Sequence, residues 1–117
     1  MAIVKKVDLK LKVNINESIK YQILTYCFFN DIPVTNSDLK FLCELSKAGE
    51  VELTFFCLHL TDMEIFKSPQ SARNAISKAE KKGLLSKKGN NKKTITVESK
   101  INIQTEGLVL LDYKILG

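Results

Sequence analysis

The run Phe66-Lys67-Ser68-Pro69-Gln70-Ser71-Ala72-Arg73-Asn74-Ala75-Ile76-Ser77-Lys78-Ala79-Glu80-Lys81-Lys82-Gly83-Leu84-Leu85 carries the clearest helix signal in the chain. Ser68 suits the N-cap, where a hydroxyl takes a free backbone N–H, and Pro69 suits the first helical position, where its missing N–H costs nothing. Ala72, Ile76 and Ala79, with Ala75 alongside, make a narrow inward stripe of small residues, so the helix can pack closely. Gly83 ends it, and Leu84 and Leu85 start a strand. Lys87-Lys88-Gly89-Asn90-Asn91-Lys92-Lys93 then reads as a turn and Thr94-Ile95-Thr96-Val97 as the returning strand. A basic helix is thus followed directly by a hairpin with a basic tip.

Upstream, the segment from Val51 to Asp62 is rich in β-branched and aromatic residues. Val51, Phe55, Leu58 and Asp62 nevertheless share one helical face, and a helix is expected. Before it, Thr35 or Ser37 can cap a helix with the stripe Leu39, Leu42, Cys43 and Leu45; Lys47 suits its C-terminal dipole and Gly49 its end. Asn16 and Ser18 offer caps for a first helix carrying Ile19, Ile23, Leu24, Cys27 and Phe28, which Asn30-Asp31-Ile32-Pro33 breaks. Val7, Leu9, Leu11, Val13 and Ile15 alternate with polar residues, the period of a half-buried strand. Downstream, Ile101–Leu116 suggests one or two further strands that extend or cover the sheet containing the N-terminal one.

Charge is unevenly spread. The chain carries a net +5, yet residues 67–100 hold nine lysines and Arg73 against only Glu80 and Glu98, a local excess of +8. Everything else is slightly acidic. Such clustering suits a polyanionic partner.

Other classes find less support. At 117 residues the chain fits one domain, and no apolar run approaches the length needed to cross a bilayer. No apolar signal segment follows Lys5 and Lys6, so a cytoplasmic protein is expected. Cys27, Cys43 and Cys57 each lie in an apolar run without C-x-x-C spacing, which predicts buried free thiols. His59 has no evident partner, and a core or boundary position is expected for it. Asp62 and Glu64 are neighbours in sequence only. No phosphate-binding glycine loop or nucleophile elbow is present. The expectation is a non-enzyme without metal or cofactor.

The stretch 66–85 resembles the recognition helix and wing start of winged-helix regulators, MarR-like families among them. There a Ser/Thr-capped helix ends in a Leu-Glu-x-x-Gly-Leu pattern; here Ala79-Glu80-Lys81-Lys82-Gly83-Leu84 departs from it by one residue. The resemblance covers residues 51–98. It implies an α+β winged helix-turn-helix fold of three to four helices with a small antiparallel sheet. The expected order is an N-terminal strand over 1–15, a helical part over 16–83, a wing over 84–98 and C-terminal strands over 99–117. The added terminal segments resemble those of small phage and mobile-element proteins, some of which use winged helices for assembly.

The partner so implied is double-stranded DNA, met by a regulator of transcription or replication. Residues 69–82 would enter the major groove and residues 86–94 would brace the backbone. With Ala72, Ile76 and Ala79 inward, Gln70, Arg73, Asn74, Ser77, Lys78 and Lys81 face outward or flank that face. Arg pairs bidentately with guanine, Asn and Gln with adenine. Ser71, Ser77 and the lysines suit phosphate, as do the free N–H groups near Ser68. Lys87, Lys88, Lys92 and Lys93 are placed on the wing. Six such cations would give a salt slope of about −5. The alternative is a structural or adaptor protein, such as a virion component, making protein–protein contacts. Phe28-Phe29 and Phe55-Phe56 bear on it: on a helix the two rings of each pair cannot share one face, so either one of each meets a partner, as in a homodimer or higher homo-oligomer, or both lie in a wide buried stripe. Membrane binding is disfavoured, because the basic helix pairs its charges with alanines.

Overall fold

The computed structural model describes residues 14–104. They form an α+β arrangement of four helices and three strands. The order is α1 (Ile15–Phe29), α2 (Asn36–Ala48), β1 (Glu50–Glu52), α3 (Leu53–Asp62), α4 (Pro69–Lys81), β2 (Leu85–Lys88) and β3 (Thr94–Val97). Single 3-10 turns lie at Asn90–Lys92 and Ser99–Ile101.

The cap of α1 is Asn14, whose side-chain oxygen accepts the Glu17 N–H at 2.9 Å, and not Asn16 or Ser18. Ile15 is therefore the first helical residue and does not end a strand. The rest of the expected N-terminal strand lies outside the described residues. Ile19, Ile23 and Cys27 are buried, four residues apart, whereas Leu24 and Phe28 are exposed. At about 100° per residue, each step of one from the buried line turns a side chain well off that face.

α2 follows its sequence signals. Thr35 and Asp38 form a reciprocal capping box, and Gly49 closes the far end. Phe41, Leu42, Cys43 and Leu45 are buried, and Leu39 is partly so.

β1 places a short strand within residues 16–83, where only helices and their connections were expected. Val51 belongs to this strand, and both carboxylate oxygens of Glu52 accept N–H groups, from Thr54 at 3.0 Å and Phe55 at 2.9 Å. With the cap at 52, α3 turns Leu53, Phe56, Cys57 and Leu60 inward. Its buried face is thus not Val51, Phe55, Leu58 and Asp62. Phe55 is 74% exposed, and Leu58 and His59 are exposed too. Of the Phe55-Phe56 pair one ring is buried, as adjacency demands; Phe28 and Phe29 are both outside.

α4 begins at Ser68, whose hydroxyl accepts the Ser71 N–H at 3.1 Å, with Pro69 in the first turn. Ala72, Ile76 and Ala79 are buried. At its end the N–H of Leu84 reaches the Ala79 carbonyl and that of Gly83 the Glu80 carbonyl, both at 3.0 Å. This pairing needs the left-handed backbone that Gly83 adopts at φ +78°.

The sheet order is β1-β3-β2, antiparallel throughout. Val51 faces Ile95, and Lys87 faces Ile95 from the other side. β2 runs through Lys88, so the turn is shorter than expected and comprises Gly89–Lys93. Ile95, Leu84 and Leu85 join the helices in one core that contains no buried polar or charged residue among those described. After β3 the chain forms a 3-10 turn, with Ile101 buried, and no strand forms before Gln104. The remainder of the expected C-terminal strands lies outside the described residues.

Candidate nucleic-acid interface

A close-packed stripe of alanines on one side of α4 fixes what the other side presents. Taking the direction of Ala72, Ile76 and Ala79 as inward, Gln70, Asn74, Ser77 and Lys81 fall within about 50° of the opposite direction, with Lys78 just beside them. Gln70, Asn74, Lys78 and Lys81 are exposed, and Ser77 is partly buried. The Gln70 amide donates to the Asn74 side-chain oxygen at 3.0 Å, one turn along. The two exposed amides are thus linked side by side on the outward side of α4.

Arg73 lies off this row. It is half-buried, and its guanidinium donates to the Thr54 hydroxyl at 3.3 Å, bridging α4 to the first turn of α3. Ser68 and Ser71 share a hydroxyl hydrogen bond of 3.0 Å at the start of α4. Lys82 is directed away from the row and donates to the Pro33 carbonyl at 2.8 Å, tying α4 to the link between α1 and α2.

The four expected hairpin cations divide into two kinds. Lys87 stands 3.6 Å from the Glu80 carboxylate, and Lys88 is ion-paired with Glu50. Charge counting in the sequence could not find these pairs, because Glu50 reaches Lys88 only through the sheet. Lys92 and Lys93 are exposed at the hairpin tip and make no ion pair among the described residues. Asn91 and Lys92 both adopt positive φ, +63° and +53°, which folds the tip into its tight turn. The Lys93 carbonyl accepts the Leu53 N–H at 2.7 Å, so the hairpin base and the start of α3 share one backbone bond.

Acids set limits around the cations. Backbone N–H groups of Phe55 and Thr54 hold the Glu52 carboxyl below the ordinary glutamate range. That carboxylate also occupies the α3 N-terminus, closing it to an external anion. The Ser86 hydroxyl, at 2.8 Å, does the same for the Glu98 carboxyl, lowering it too. His59, exposed and not at the core or its boundary, stands 3.9 Å from Glu44. Burial pushes the thiols of Cys27, Cys43 and Cys57 up, and all three are free.

The described residues contain no helix long and apolar enough to cross a membrane. Compared with known proteins, the chain matches no family model, no curated protein and no solved structure.

Proposed function

We propose that this protein binds double-stranded DNA as a winged helix, with α3 and α4 as the helix-turn-helix and the β2–β3 hairpin as the wing. The observation that carries this reading is the row Gln70, Asn74, Ser77, Lys78 and Lys81 on the outward side of α4. It combines two amides able to read adenine edges with cations suited to flanking phosphates. Lys92 and Lys93 at the wing tip supply further phosphate contacts, and Arg73 braces α4 against α3. The role is one of binding, without catalysis, and suits a small regulator of transcription or replication.

The test uses Lys78→Glu/Lys81→Glu, two positions outside the core whose reversal leaves the packing intact. Duplex affinity should drop, and the slope of log K against log salt should become shallower by about 2. Unchanged affinity and slope, with an unchanged thermal midpoint, would falsify the proposal. A second reading, an adaptor that meets another protein, draws on the exposed rings of Phe28, Phe29 and Phe55. It predicts that mass or pull-down measurements respond to those rings and not to the lysines.

A further inference from the structure

The outward row of α4 changes character along its length. Its N-terminal half presents Gln70 and Asn74, both exposed and uncharged, whereas the cations Lys78 and Lys81 lie in the C-terminal half. The N-terminal residues of a recognition helix are the ones that meet base edges. Amides suit that place, because they give up water at less cost than a charged group does. Arg73, the only arginine of the chain, donates to Thr54 and does not stand in the row. The commonest ligand of guanine is therefore missing from the base-reading end.

Gln70 and Asn74 are not independent of each other. The Gln70 amide nitrogen donates to the Asn74 side-chain oxygen at 3.0 Å, across one helical turn. A side-chain amide has one oxygen with two lone pairs and one nitrogen with two hydrogens. The bond uses one lone pair of Asn74 Oδ1 and leaves the other, together with both Nδ2 hydrogens. With Gln70 as donor, the end of the Asn74 amide nearest to it is the oxygen. What remains on Asn74 is an acceptor beside a donor. Adenine matches that order with its N6 donor and N7 acceptor, whereas guanine presents two acceptors, N7 and O6.

Resting on the DNA-binding reading above, we propose that Gln70 and Asn74 form one reader of a single A·T base pair. Asn74 makes the paired contact to adenine, and Gln70 positions it. Order before binding favours this arrangement, since a side chain already held gives up less rotamer freedom on contact. Spacing favours it too. Residues four apart on a helix are separated by about 6 Å along the axis, so free side chains there would address separate base pairs. The bond draws these two amides together instead.

Binding-site selection on a randomised duplex, followed by titration of duplexes differing in one base pair, tests the pairing. Wild type should prefer A·T at one position by about 5- to 150-fold. Asn74→Ala should abolish that preference, and Gln70→Ala should weaken it at the same position and at no other. The double variant should behave as Asn74→Ala alone. Neither residue is charged or buried, so the salt slope and the thermal midpoint should hold in all three variants. Losses at two positions that add in the double variant make the amides separate readers and overturn the proposal. So does a Gln70→Ala protein that keeps the full preference, or a wild type that favours G·C there. Steep salt dependence without preference at any position overturns it while the DNA-binding reading stands. A duplex left unbound at low salt removes both.

Discussion

Lys87 on β2 faces Glu80 on the last full turn of α4, with Nζ 3.6 Å from the carboxylate. The pair joins the two elements that would touch DNA and neutralises one cation of the basic block. Glu80→Gln should therefore raise duplex affinity and steepen the salt slope by up to about one unit, as Lys87 becomes free to meet a phosphate. Titrations at several salt concentrations check this, and an unchanged slope counts against Lys87 as a phosphate ligand. Stability should hardly change, because partly exposed pairs of this kind contribute about 0–1 kcal/mol.

Ala72 is fully buried where α4 meets the core. Ala72→Leu should destabilise by about 1–3 kcal/mol through overpacking. Ile76→Ala at the neighbouring buried position should cost about 2–5 kcal/mol through the cavity it leaves. Chemical denaturation measures both, and small effects would mean that α4 packs loosely.

α4 was legible from the chain because its signals are local: a cap, a proline, an alanine stripe and a glycine, all between Ser68 and Gly83. α3 was legible as a helix but not in its facing. Apolar residues occupy both its sides, so periodicity fits Phe55 and Leu58 as readily as Phe56 and Leu60. Only the Glu52 cap and the three-residue strand before it settle the phase. That strand has no pattern of its own, being two glutamates around one valine, and exists through pairing with residues 94–96. The ion pair of Lys88 was out of reach for the same reason. The outward row of α4 was readable, whereas the half-buried bridge of Arg73 to Thr54 needed the α3 position.

Asn74 and Gln70 should govern sequence preference more than overall affinity. Asn74→Ala is expected to remove about 1–3 kcal/mol of discrimination at one base position, with the salt slope unchanged. Binding-site selection with wild type and variant decides the matter: identical preferred sites would reduce both amides to solvated surface.

Glu52 and Glu98 both titrate lower in the folded protein than in an unfolded chain. Their contribution is therefore complete above the unfolded glutamate value of about 4.3 and is lost as pH falls through the lowered folded values. The denaturation midpoint should fall as the solution is acidified below about pH 5, less steeply in Glu52→Gln/Glu98→Gln. Equal acid sensitivity in the two proteins would show that these groups do not couple folding to pH.

Cys27, Cys43 and Cys57 are buried, and desolvation disfavours their thiolates. A thiol reagent should modify them only as fast as the fold opens, and all three together in denaturant. Rapid reaction of one thiol under native conditions would mark a local opening near it.

Because β1 pairs with β3 and not with a sequence neighbour, the segment containing α3 and α4 is a loop stitched shut at its base, Glu50 to Thr96 and Glu52 to Thr94. A single backbone cut in the turn between Asp62 and Ser68 would then leave two fragments held together by a shared sheet and core. The same stitching imposes an order on synthesis. Residues 50–52 leave the ribosome well before their strand partners at 94–96, so the sheet cannot close, nor the α3 start acquire its Lys93 bond, until the hairpin has emerged.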